Sequence, residues 1–194
     1  MELENPGSGL HPQDVKIELL HPYEDEHHQE GPEGIVLAYK QADDPAKLPR
    51  LRLRLVNTGE RKLFCSLLYL SSMFSIQGIF GDGGVWLAPG ERAWAFKGRS
   101  IRGRIQAGVL ATGKREVQET FKLIVSTAAF NNKSLHQQEL DAPSSELIAR
   151  GTTTRGKYKA RSLMFSDGYD EQVDDWNATM VSFKIRLEED ESET

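Results

Sequence analysis

Cysteine is almost missing from this 194-residue chain, where Cys65 is the only one. A disulfide framework is therefore excluded, and a lone thiol fits a reducing cytoplasm, the expected location. Long apolar runs are missing too. No window of the chain approaches the roughly eighteen apolar residues of a membrane-spanning helix, so no membrane partner is expected. The first ten residues, Met1 to Leu10, lack both a basic n-region and an apolar h-region and do not read as a signal peptide. Positive charge is in short supply: 24 Lys and Arg stand against 29 Asp and Glu, a formal charge of −5. A dedicated nucleic-acid binder is normally basic overall, so the balance argues against that partner class. Sustained apolar stripes at i, i+3, i+4 and i+7 are absent as well, which leaves helices a minor part of the fold.

What the sequence does have is period-two alternation. Val15, Ile17 and Leu19 alternate with polar residues, as do Ile35, Leu37 and Tyr39. In Arg50–Val56 the residues Leu51, Leu53 and Leu55 face one way and Arg50, Arg52 and Arg54 the other, which predicts one buried and one wet face. Asn57-Thr-Gly59-Glu60 reads as a turn, and Leu63–Leu70, apolar on both faces, as a central strand. The two strands are expected to form a hairpin. Further short strands are expected near Phe74–Phe80, at Val85–Leu87 and at Ala93–Phe96, with a Pro-Gly turn at Ala88–Glu91 between the last two. Glu119–Ser126 points Phe121, Leu123 and Val125 inward. Thr179–Leu187 does the same with Val181, Phe183, Ile185 and Leu187. One or two helical turns are expected within Ser134–Leu140. The sum is an all-β, immunoglobulin-like antiparallel β-sandwich with long loops and at most short helices. It spans residues 14–187, between a flexible N-terminus (1–13) and an acidic disordered tail (188–194).

The search for chemistry returns little. Cys65 lies mid-strand with Leu63 and Leu67 on its own face, the place of a small buried hydrophobe. His27 and His28 are adjacent in a loop, where their side chains diverge and make a poor metal site. The acidic cluster Asp167, Asp170, Glu171, Asp174 and Asp175 lacks the spacing of a twelve-residue calcium loop. No metal, cofactor or catalytic residue is assigned, and no enzyme is expected.

Two basic stretches stand out against the negative total. One contains Arg99, Arg102 and Arg104. The other contains Arg150, Arg155, Lys157, Tyr158, Lys159 and Arg161. Gly-spaced arginines beside a tyrosine suit phosphates or a single strand of nucleic acid, and equally suit solvated loops. Trp86 and Trp94 alternate within strands and read as core residues. Trp176, beside Asp174 and Asp175, is the better surface aromatic. These residues are the interaction candidates.

Four segments carry a resemblance: Leu51–Gly59, Leu63–Ser72, Val85–Glu91 and Thr120–Thr127. In sequence and order they resemble the β-sandwich module that follows the caspase-like peptidase domain in many bacterial caspase-family proteins. Asp175-Trp176 and the final strand fit the same pattern. The resemblance implies a bacterial accessory or regulatory domain that docks to, positions or restrains a caspase-like protease or presents a surface to its target. It carries over no catalytic residue, since the peptidase His and Cys dyad has no counterpart here. It also makes Arg150 to Arg161 a candidate processing segment. The alternative is a ligand-binding module for carbohydrate or single-stranded nucleic acid, built on Trp176 and the basic loops.

Overall fold

A computed structural model describes residues 8–23, 26–41, 47–81, 83–139 and 175–188. Their strands are β1 (Val15–Leu20), β2 (Ile35–Lys40), β3 (Arg50–Asn57), β4 (Leu63–Leu70), β5 (Ile76–Gly78), β6 (Val85–Leu87), β7 (Arg92–Trp94), β8 (Ile101–Arg102), β9 (Glu116–Ser126) and β10 (Trp176–Glu188). A single short helix, α1 (Ala107–Ala111), and two 3-10 turns complete the described elements. No described helix is long and apolar enough to cross a membrane.

The strands make two sheets. One has four strands, with β3 between β1 and β7 and with β8 also pairing β3. The other has six, in the order β2-β10-β9-β4-β5, with β6 also on β4. The inner faces meet in one core. Val15, Leu19, Leu51, Leu53 and Leu55 from the first sheet meet Leu63, Cys65, Leu67, Phe121, Leu123, Val125, Phe183 and Ile185 from the second. The expected all-β sandwich is therefore present, and the inward positions of β9 and β10 are those that alternation assigns. One pair departs from an antiparallel plan: β2 runs parallel to β10, Ile35 beside Phe183 and Tyr39 beside Leu187. The two strands are far apart in sequence, so no tight turn dictates their direction.

The expected β3–β4 hairpin does not form. One edge of β3 is taken by β1 and the other by β7 and β8, so no edge is left for β4. The turn instead carries the chain from one sheet to the other, where β4, apolar on both faces, finds β9 on one side and β5 and β6 on the other.

The outer face of β3 is not wet either. Arg54 is buried, pairs with Glu18 at 2.7 Å and lies 5.0 Å from the centre of the Trp94 ring. Arg52 stacks on the same ring at 3.9 Å. Cation–π stacking and the ion pair cover the strand. Trp94 thus serves the outside of its sheet and not the core. Trp86 is also outside, exposed and edge-on to Phe64 at 5.4 Å.

Candidate functional site

β9 enters the sandwich through Val117, Glu119 and Phe121, all on the inward face. Glu119 is thereby forced among apolar neighbours, with only 6% of its surface exposed. Three donors meet it. Tyr69 Oη, from the end of β4, donates to Oε2 at 2.8 Å. Ser72 donates its backbone N–H to Oε2 at 3.2 Å and its hydroxyl to Oε1 at 2.9 Å. All three donors are neutral, and no described lysine, arginine or histidine forms an ion pair with this carboxylate. Tyr69 is held firmly protonated: burial raises its pKa most, and the Glu119 charge adds to the effect.

A cavity of about 230 Å³ opens beside Glu119. Its walls are apolar (Leu37, Ile79, Phe121, Phe183 and Ile185 among them), and Tyr69, Ser72 and Gln77 add polar atoms. The segment from Ala95 to Gln106 closes its other side. That segment pairs with β3 through Ile101 and Arg102, and Gly103 N–H donates to Pro49 O at 2.8 Å. It reaches the second sheet where Ile105 N–H donates to Tyr39 Oη at 3.1 Å. Gly103 is buried, and a side chain there would press on Leu37 at 3.2 Å, which explains a glycine between two arginines.

The same segment carries the first basic stretch. Arg102 and Arg104 are exposed and line the cavity, while Lys97 and Arg99 line a shallow groove that shares Ile79, Phe96 and Ile101 with it. Alternation had suggested a strand through Phe96. The structure ends β7 at Trp94 and turns the chain through Phe96 at φ 50° and Lys97 at φ 57°, both left-handed. Phe74 at φ 62° is the remaining described non-glycine residue with positive φ. It sits on the turn that supplies Ser72 and is clasped by serines: Phe74 N–H donates to Ser71 O at 2.9 Å, and Ser75 Oγ to Ser71 Oγ at 2.8 Å. Phe74 and Phe96 both display their rings to solvent, 67% and 38% exposed.

Of the residues singled out by sequence, Arg99, Arg102 and Arg104 are brought together at this open end. Trp176, 38% exposed, is at the other end of the sandwich, opposite Ser126. It does not join Arg99, Arg102 and Arg104. Arg150, Arg155, Lys157, Tyr158, Lys159 and Arg161 lie outside the described residues. Cys65 is fully buried, and burial pushes its thiol up to about 12. His28 stacks on His21 at 4.1 Å. Burial first, then the His21 charge, lowers its pKa. Among the described residues no group of three His, Cys, Asp or Glu is placed to hold a metal ion. Glu119 escaped sequence reasoning although the signal was there: it is in phase with Phe121, Leu123 and Val125.

No family model, no curated protein and no solved structure matches this chain.

Proposed function

We propose that the chain is a non-catalytic docking module that engages a partner protein through the open end of its sandwich. The observation that carries this reading is the pair of exposed phenylalanines, Phe74 and Phe96, on left-handed backbone. A left-handed residue other than glycine costs about 1–2 kcal/mol. The Phe74 ring, two-thirds exposed, recovers little of that cost within the chain, and the Phe96 ring is only partly covered. Strain concentrates where a local shape is used, and aromatic side chains dominate binding hot spots. Lys97, Arg99, Arg102 and Arg104 line the same groove and cavity as Phe96 and favour an acidic surface on the partner. The identity of the partner rests on the resemblance alone, which points to a caspase-like protease or that protease's target. The module has a regulatory role in this reading.

The test is titration calorimetry of the full chain against a caspase-like protease of the same organism. The expected result is binding that weakens by at least about tenfold in a Phe74→Ala/Phe96→Ala variant. Absence of binding removes the protease as partner. Binding unchanged by the double substitution removes the open end as the surface.

A further inference from the structure

The open end contains a feature that exposed rings do not explain. Glu119 is a carboxylate buried inside the sandwich, beside a cavity whose lining includes Arg102 and Arg104, yet no described cation reaches it within ion-pair distance. Burying an unpaired charge is among the more expensive things a fold can do. Neutral donors offset part of that cost and leave the carboxylate without a direct ion pair. We propose that the cavity receives a lysine side chain of the docked protein, whose ammonium group pairs with Glu119.

Three observations fix the chemistry. The first is size. At about 230 Å³ the cavity is smaller than the roughly 300–1,000 Å³ of sites that take drug-sized molecules, so it suits one side chain. The second is the lining. Leu37, Ile79, Phe121 and Ile185 offer an apolar channel to an alkyl stem, and the polar atoms gather around Glu119. A lysine divides in a matching way, an alkyl stem for the apolar wall and a polar head for the Tyr69–Ser72–Glu119 cluster. The third is the number of acceptor positions left. A carboxylate has about four lone-pair positions. Tyr69 and Ser72 take two on Oε2 and one on Oε1, which leaves a single position on Oε1. One position suits a compact ammonium. An arginine fork needs two side by side. Arg102 and Arg104 line the same cavity, so the residues flanking this lysine are acidic and pair with those two guanidinium groups while the ammonium pairs with Glu119. The partner segment is a lysine set between aspartates or glutamates.

This inference rests on the docking reading only for the source of the ammonium group. Its test therefore uses the side chain alone. The full chain, isotope-labelled, is titrated with n-butylammonium chloride at matched ionic strength and, separately, with the neutral n-butanol. The Ser72 amide and Glu119 carboxyl signals are followed by NMR. The expected result is saturable shifts with n-butylammonium in the range of about 1–100 mM, at least about tenfold tighter than n-butanol. Glu119→Gln abolishes that preference. Equal affinity for the alcohol, or no shift with n-butylammonium up to about 100 mM, overturns the proposal. The wild-type comparison stands even if the variant folds poorly. Neither result touches the Phe74 and Phe96 measurement, so the two readings fail separately.

Discussion

The two ends of the sandwich each bury a polar side chain, and they treat it in opposite ways. At one end Asn57 is 0% exposed. Its amide nitrogen donates to Arg61 O and Leu87 O, both at 2.8 Å, and its Oδ1 accepts from Gly59 N–H at 3.0 Å. Chain segments from three regions close over it. Thr58 and Gly59 N–H donate to Asp14 O, Arg61 Nη2 to Gly9 O at 2.9 Å, and Asn177 Nδ2 to Leu10 O at 3.2 Å. At the other end Glu119 has three donors but no direct ion pair among the described residues, a cavity instead of a closing strand, and strained loops beside it. A buried polar group whose bonds are all met inside the chain holds a structure together. One with an acceptor position and a cavity left over has room for a group from outside the chain.

The comparison breaks most sharply at Asn57. Asn57→Ala takes the side-chain donor away from two carbonyls in the closed end, Arg61 O and Leu87 O, and is expected to lower unfolding free energy by about 3 kcal/mol, read from denaturant midpoints. Unchanged stability would mean that this end is not held by Asn57. Gly84 comes next. A methyl group there would overlap the Cys65 carbonyl oxygen and lie 2.9 Å from Phe64 Cζ, just before β6 pairs with β4. Gly84→Ala is expected to cost about 2 kcal/mol, with Cys65 becoming open to alkylation in step with the loss. The smallest effect belongs to neither end. On the outer face of β10, Arg186 holds Glu33 and Glu116, and its hydrogen bonds lower both carboxyl pKa values. A lowered folded-state pKa contributes stability above the usual carboxylate range, and that contribution disappears as pH falls through the folded value. Arg186→Gln should therefore destabilise slightly at neutral pH and merge with the parent curve in acid. A difference that grows toward low pH would contradict the sign.

Alternation carried most of the fold. The inward sets of β1, β3, β9 and β10 follow from side chains two residues apart, and Glu119 falls in phase with Phe121 by the same rule. The features that make a site of Glu119 are non-local. Tyr69 and Ser72 approach it from across the sheet, and nothing in their spacing announces the contact. Local signals also misled. Asn57-Thr-Gly-Glu60 has the chemistry of a hairpin turn, yet a turn reads the same whether the chain pairs with itself or crosses to another sheet. Phe74 and Phe96 were invisible as left-handed residues because that backbone ordinarily selects glycine or asparagine. Trp94 lies outside the core because two arginines on the neighbouring strand cover it, a cross-strand fact with no trace in the alternation around it.

The measurement that bears most directly on the difference between the two ends is equilibrium unfolding of Glu119→Gln beside Asn57→Ala. A buried carboxylate without a direct ion pair works against the folded state, so its neutral isostere should hold stability within about 1 kcal/mol of the parent or raise it. A Glu119→Gln loss as large as that of Asn57→Ala would show that Glu119 holds the fold together as Asn57 does, and the open end would then be only another closed one.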